Sequence, residues 1–179
     1  MTTKLTTRGA IEIASHEGVV LEAYLDSVGI WTWGIGVTDA SGHRVSRYKD
    51  KPSSVERAVE VFQWLLDVRY VPDVLDAFDG RTLTEAQLAA ATSFHYNTGA
   101  IERATWVKLW LAGKVSDARE SFLEWRFPPE ILPRRQKEAA LFFDGKWGDG
   151  QALIYPVRKP SYRPDFAKGR RVDIRGMLA

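Results

Sequence analysis

Residues 16–36 read HEGVVLEAYLDSVGIWTWGIG, and the pattern of the chain changes from helical to extended within this stretch. Thr7 is placed to cap a helix over about 8–16, and Gly18 is placed to end it. Beyond Gly18, β-branched and aromatic residues are punctuated by glycines, a pattern typical of a small antiparallel hairpin sheet. Glu17 is therefore expected at the C-terminal edge of the helix, directly before the sheet.

Helical signals follow in quick succession after this sheet. Ser53 and Glu56 form a capping-box pattern before an apolar repeat that breaks at Pro72, which predicts a long helix linking two lobes. Thr84 and Gln87 form a second capping box ahead of another helix. Shorter helices are predicted over about 105–112, 116–126 and 133–143. The expected fold class is α+β and mainly α, with one small antiparallel sheet.

The composition restricts the class of protein. A chain of 179 residues with 45% hydrophobic side chains can bury a core as one domain or as two small lobes. Its 25 basic residues against 23 acidic ones are too balanced for a nucleic-acid clamp, so no nucleic-acid partner is expected. The chain has no cysteine, and its three scattered histidines do not suggest a zinc site. We therefore expect a globular protein that uses no metal and no cofactor.

The first nine residues are polar, and the stretch after them is short and amphipathic. This pattern has neither the apolar core of a signal peptide nor a segment long enough to cross a bilayer. We expect the protein to be made and kept in the cytoplasm until another factor releases it.

Glu17 and Asp26 place two carboxyl groups across the junction between helix and hairpin. Hydrolysis of a glycosidic bond needs one carboxylic acid that still holds its proton and a second group that is ionised. The negative end of the helix dipole and apolar neighbours favour the protonated form of Glu17, whereas Asp26, on a hairpin open to water, is expected to be ionised. The Thr32 hydroxyl could share a water with Asp26 and aim it at the anomeric carbon.

Glu17, Asp26 and Thr32 are separated by eight and five residues, and this spacing resembles the catalytic spacing of glycoside hydrolase family 24, the phage lysozymes or endolysins. The flanking residues are similar to the family's motifs as well. They are Glu17-Gly18, Ala23-Tyr24-Leu25-Asp26, Val28-Gly29, Thr32-x-Gly34-x-Gly36, Ser93-Phe94-His95-Tyr96-Asn97-Thr98-Gly99, and Arg134-Arg135 followed by Glu138 and Phe142-Phe143. The resemblance covers roughly residues 8–147.

The resemblance implies a lysozyme-like fold of two lobes joined by a long helix, with residues 1–150 as the catalytic domain. It implies that Glu17 is the general acid, Asp26 the base or electrostatic partner, and Thr32 the residue that positions water. It also implies that one of the two arginines at 134 and 135 reaches Glu17 and orients it, which would favour the ionised carboxylate and oppose the effect of burial.

The chain departs from the family's pattern in one place. Ile35 and Val37 stand where many relatives carry a tyrosine and a histidine beside the cleft. This difference affects the details of the sugar subsites and leaves the proposed acid unchanged.

The activity implied is that of an endolysin. It would hydrolyse the β-1,4 bond between N-acetylmuramic acid and N-acetylglucosamine in bacterial peptidoglycan as a monomer, and so cause lysis of the host cell. Inversion at the anomeric carbon is expected if Asp26 activates water directly, which requires carboxyl groups roughly 6.5–9.5 Å apart rather than ~5 Å. Two alternatives remain: a lytic transglycosylase, for which one glutamate suffices, and a non-catalytic cell-wall-binding or virion module on the same scaffold.

Residues 151–179 lose the helical periodicity and lie outside the resemblance. They carry seven lysines and arginines against Asp165 and Asp173. One interpretation is a solvated extension packed against the domain. The other is adhesion to an anionic surface such as teichoic acid, lipopolysaccharide or the carboxylates of peptidoglycan. We treat this segment as a basic C-terminal extension, called the tail below.

Overall fold

The computed structural model describes residues 4–178. The chain divides into two compact units. The helical unit contains the residues up to Ile13 together with Leu66–Asp149, and the sheet unit contains Ala14–Leu65 together with the residues from Gly150 onward. Along the chain, the boundaries fall within the first helix, directly after the second helix and at the start of the tail.

Seven helices and seven short strands are found within residues 4–178. The helices are α1 (Thr7–Glu17), α2 (Val55–Leu65), α3 (Val71–Ala77), α4 (Glu85–Thr98), α5 (Thr105–Leu111), α6 (Val115–Leu123) and α7 (Leu132–Asp144). The strands are β1 (Val20–Leu25), β2 (Trp31–Gly34), β3 (Val37–Thr38), β4 (Ala152–Ile154), β5 (Val157–Arg158), β6 (Arg163–Pro164) and β7 (Arg170–Val172). The predicted α+β, mainly α class is confirmed.

The ends of α1 explain the position of Glu17. The Gly9 amide donates to Thr6 Oγ1 at 3.1 Å, so Thr6 caps the helix and the prediction of Thr7 was wrong by one residue. At the other end Glu17 is the last helical residue, as predicted, and Gly18 follows with a φ of 72°. This left-handed conformation is the one that glycine adopts at low cost after a helix.

The capping box predicted from Ser53 and Glu56 was wrong, and the residue that caps α2 lies one position later. Ser54, not Ser53, accepts the Arg57 amide at 3.1 Å, while Ser53 Oγ accepts a hydrogen bond from the Trp33 indole at 3.2 Å. After α2 the chain forms a π-helical turn over Leu66–Tyr70.

The sequence predicted that Pro72 breaks the helix, and this prediction was wrong. Pro72 lies in the first turn of α3. A proline is tolerated there because a first-turn residue has no intrahelical amide bond to lose. The helix predicted to reach Arg126 ends at Leu123, and the Trp125 carbonyl instead accepts Arg135 Nε at 2.9 Å. The Thr84–Gln87 capping box is present as predicted.

An aromatic cluster forms the core of the helical unit. Trp106 is fully buried and lies 5.4 Å from Phe94, 4.7 Å from Phe122 and 5.0 Å from Phe142, measured between ring centroids. These distances are within the range that aromatic pairs prefer. The cluster joins α4, α5, α6 and α7, so these four aromatic side chains serve packing.

The sheet unit is organised around the antiparallel sheet β1-β2-β3. Tyr24 of β1 pairs with Thr32 of β2, and Trp33 of β2 pairs with Val37 of β3. Trp33 is fully buried, stacks on Tyr48 with ring centroids 3.8 Å apart, and belongs to the core of this unit.

The tail belongs to the same unit and forms two antiparallel strand pairs within itself, β4 with β7 and β5 with β6. Three main-chain hydrogen bonds tie it to the segment that carries β1. Val19 donates to the Leu153 carbonyl at 2.7 Å, Tyr155 donates to the Val19 carbonyl at 2.9 Å, and Leu25 donates to the Tyr162 carbonyl at 2.7 Å. The tail therefore extends the backbone hydrogen bonding of β1 at both ends.

Asp50 anchors the turn between β5 and β6. Its carboxylate accepts hydrogen bonds from Lys159 Nζ and from the Tyr162 hydroxyl, the latter at 2.9 Å to Oδ2. Lys159 Nζ also lies 3.2 Å from Glu22 Oε1. The Lys159 bond first, and then the Tyr162 bond, lower the pKa of Asp50 below its ordinary value. The ionised carboxylate is the form that this contact stabilises.

The Asp50 anchor predicts a pH-dependent contribution to stability. Because the pKa of Asp50 is lowered by folding, its contribution is complete above the unfolded value of about 3.9 and is lost as pH falls through the folded value. Asp50→Asn should lower the Tm at pH 7, and the Tm difference from wild type should shrink between pH 5 and pH 2. Thermal melts of both proteins across this range test it, with Asp67→Asn as a control whose Tm difference should stay small throughout.

Candidate active site

Glu17 and Asp26 line one cavity of about 290 Å³ within the sheet unit. They were predicted as a pair from sequence, and the structure brings them to the same cavity. Tyr24 also contributes to the cavity wall. The tail contributes Tyr155, Arg158, Arg163 and Phe166.

Glu17 reaches the cavity because α1 ends there. The side chain is half-buried, and its Oε1 atom is fully buried. At Gly18 a Cβ atom would lie 2.8 Å from Cε2 of Tyr155, so a side chain at this position would collide with the tail. Because Gly18 has no side chain, Tyr155 of the tail can lie against the main chain directly beside Glu17.

Asp26 is held by a dense set of hydrogen bonds at the β1–β2 turn. Its Oδ1 accepts the amides of Val28 at 3.0 Å and Ile30 at 2.8 Å. Its own amide donates to the Ile30 carbonyl at 3.0 Å, and its carbonyl accepts Arg163 Nη1 at 2.7 Å. Both main-chain groups and one carboxylate oxygen are therefore held in place, while Oδ2 has no hydrogen bond within residues 4–178.

Thr32 is connected to Asp26 through the main chain of Ile30. The Thr32 hydroxyl donates to the Ile30 carbonyl at 3.1 Å, and the Ile30 amide donates to Asp26. Thr32 is only 4% exposed and is not one of the residues that line the cavity. Its pairing opposite Tyr24 puts both side chains on the same face of the sheet.

Tyr24 is a site residue to which the sequence reasoning assigned no role. Burial raises the pKa of its phenol above the ordinary value, and the negative charges of Glu17 and Asp26 raise it further. The hydroxyl therefore remains a neutral donor within electrostatic reach of both carboxyl groups. The sequence signal was its place in the Ala23-Tyr24-Leu25-Asp26 motif.

Arg134 and Arg135 take part in a buried network of the helical unit. Both bind Glu138, with Arg134 Nε at 2.9 Å from Oε1, and Ser93 Oγ donates to the same oxygen at 2.6 Å. Arg135 is 1% exposed and also donates to Asn97 Oδ1 at 2.7 Å. Burial lowers the pKa of Arg135. These contacts give Asn97 and Arg135 a structural role.

In the part of the chain that the structure describes, no group of three or more His, Cys, Asp or Glu side chains is arranged to hold a metal ion. No helix among the described residues is both long enough and apolar enough to cross a membrane.

Known proteins share this sequence pattern and fold. The family described as phage lysozyme matches residues 14–138. The endolysin of Salmonella phage P22 is 29% identical over 146 residues, covering 78% of this chain and 97% of the relative. The solved endolysin from Escherichia coli O157:H7 phage FAHEc1 aligns with a TM-score of 0.67 at 26% identity, covering 82% of this chain and 97% of that one. A P22 lysozyme mutant aligns with a TM-score of 0.61 at 28% identity over 79% of this chain and 99% of that one.

The family match spans well over half of the chain, which therefore belongs to the phage lysozyme family. Within it, the protein is a glycoside hydrolase of the endolysin type that hydrolyses peptidoglycan. The resemblance seen in the sequence, the lysozyme-like fold and the enzyme class are confirmed. The transglycosylase and the non-catalytic module are not favoured.

The hydrogen bonds of Asp26 predict that two substitutions differ in stability. Asp26→Asn keeps an acceptor oxygen for the Val28 and Ile30 amides, whereas Asp26→Ala removes it. We expect Asp26→Ala to be less stable than Asp26→Asn by about 1 kcal/mol, the usual contribution of such a side-chain acceptor. Urea unfolding midpoints of the two variants test this. Equal midpoints would mean that the main-chain bonds and Arg163 hold the turn without the side chain.

Proposed function

We propose that the enzyme cleaves the β-1,4 bond between N-acetylmuramic acid and N-acetylglucosamine, with Glu17, Asp26 and Thr32 as its catalytic residues. The observation that carries this proposal is that Glu17 and Asp26 line one cavity and that the main chain of Ile30 connects Asp26 to Thr32. Glu17 would donate a proton to the glycosidic oxygen as the bond breaks, which makes the leaving sugar a neutral alcohol.

Asp26 and Thr32 supply what a hydrolytic water needs. Two backbone amides occupy Oδ1 of Asp26, which leaves Oδ2 to accept a proton from water. The Thr32 hydroxyl gives its own proton to the Ile30 carbonyl, so its oxygen is an acceptor. A water that donates to both oxygens directs a lone pair away from them, toward the anomeric carbon. Asp26 takes the water's proton as the carbon–oxygen bond forms, and one displacement inverts the configuration.

The Tyr24 phenol supports this arrangement from the same face of the sheet. Its raised pKa keeps it protonated, so it can donate to a carboxylate but cannot compete with Glu17 as the acid. We assign it a positioning role.

We further propose that the enzyme acts as a monomer and stays in the host cytoplasm until it is released to the wall. Every residue assigned above belongs to one chain, and the relatives named above are endolysins. Sedimentation of the pure protein and fractionation of producing cells are the direct measurements.

Removal of the proposed acid gives the first test. Glu17→Gln keeps the shape of the side chain but cannot donate the proton, and we expect clearing of Gram-negative peptidoglycan to fall about 10²–10⁴-fold. Glu56→Gln, an exposed change in the same unit, should clear like wild type. Mass spectrometry of the wild-type fragments should find reducing muramic acid ends. Anhydro ends would identify a transglycosylase, and full activity of Glu17→Gln would remove Glu17 from the mechanism.

The first-formed anomer gives the second test. If Asp26 activates water directly, cleavage of the β-linkage releases the α-anomer first, before it mutarotates. Proton NMR recorded during the first minutes of hydrolysis of a peptidoglycan oligosaccharide distinguishes the anomers. Initial release of the β-anomer would indicate retention and would contradict the role given to Asp26.

A further inference from the structure

The tail forms part of the wall of the cavity that holds Glu17 and Asp26. Tyr155, Arg158, Arg163 and Phe166 line the cavity, and all four lie beyond residue 138, where the family match ends. The phage lysozyme family match therefore does not account for this wall, which this chain adds to the candidate site.

The two arginines of the wall are neighbours, because Arg158 of β5 pairs with Arg163 of β6. Arg163 is partly engaged, since its Nη1 donates to the Asp26 carbonyl at 2.7 Å. The exposed guanidinium of Arg158 has no hydrogen bond or ion pair within residues 4–178. A positive charge at the cavity is thus available to an incoming anion.

The wall also offers an apolar surface. The Phe166 side chain is 71% exposed, and its ring lies 5.1 Å from that of Tyr155 in an edge-on arrangement. An exposed aromatic ring at a cavity offers apolar surface that a ligand can cover. The apolar faces of sugar rings suit such aromatic surfaces.

The main chain at Arg158 is held in place before any ligand binds. Its carbonyl accepts the Tyr162 amide at 2.8 Å, which closes the turn between β5 and β6. Lys159, the next residue, is bound to Asp50 and to Glu22. When the main chain is already ordered, binding costs less conformational entropy than it does on a flexible segment.

We propose that the tail is a substrate-binding wall in which Arg158 binds a carboxylate of the peptidoglycan strand and Phe166 packs on a sugar ring beside the cleaved bond. This proposal rests on the muramidase activity proposed above. A planar guanidinium matches a carboxylate with two parallel hydrogen bonds. The carboxylate belongs either to the stem peptide or, on strands without peptide, to the lactyl group of the muramic acid.

The test compares Arg158→Gln with Arg171→Gln, an exposed arginine of the same tail that does not line the cavity. Three substrates are used: intact peptidoglycan, strands stripped of peptide by an amidase, and strands whose carboxyl groups have been chemically amidated. Arg158→Gln should raise the apparent KM about threefold to tenfold on a substrate that carries the recognised carboxylate, as expected for one charged contact at a partly exposed site. Its kcat should change less than twofold, and Arg158→Lys should recover part of the loss.

The pattern across substrates identifies the carboxylate. A rise in KM on intact peptidoglycan alone assigns the stem peptide, and a rise on stripped strands assigns the lactyl group. An equal rise with Arg171→Gln would mean diffuse attraction to an anionic surface and would overturn the proposal, as would a rise on amidated strands or none on any substrate. Wild-type hydrolysis in the same assay tests the proposed function separately, and unchanged melting temperatures show that the variants are folded.

Discussion

The candidate site depends on the register in which β1 pairs with β2. Tyr24 stands opposite Thr32, and the turn between the strands closes at Asp26. Side chains alternate between the two faces of a strand, so a slip of one residue would move Tyr24 or Thr32 to the other face. Two hydrogen bonds oppose such a slip, one from the Ile30 amide to Asp26 and one from the Thr32 hydroxyl to the Ile30 carbonyl. These bonds hold the Asp26 carboxylate and the Thr32 hydroxyl in fixed positions relative to each other.

Local signals in the sequence were sufficient for most of the fold. Glycine at 18 predicted the end of α1, and the threonine at 84 with the glutamine at 87 predicted the start of α4, because each signal acts within one turn of backbone. Where two candidate caps stand side by side, as at 6 and 7 or at 53 and 54, composition could not select between them. The choice is made by tertiary contacts, such as the Trp33 indole that occupies Ser53.

The candidate site was only partly predictable for a related reason. The carboxyl groups of Glu17 and Asp26 could be recognised because their spacing is a local property of the chain. The contributions of Arg158, Arg163 and Phe166 could not, since strands of two or three residues leave no periodic pattern and the contacts that place them are made by distant main-chain atoms. A non-periodic, basic segment was therefore described by its charge alone, whereas the structure gives it a position at the cavity.

The sheet unit is assembled from opposite ends of the chain, and this affects how the protein is made. Arg163 and Asp26, which share a hydrogen bond, are 137 residues apart in sequence. During synthesis β1 leaves the ribosome long before the tail residues that hydrogen-bond to it. The edge of β1 that faces the tail therefore stays unpaired while the residues between them are translated. Closing so long a loop is slow compared with forming the helices. The cavity is therefore one of the last parts of the molecule to be completed, and a nascent chain that stops after α7 has no tail wall.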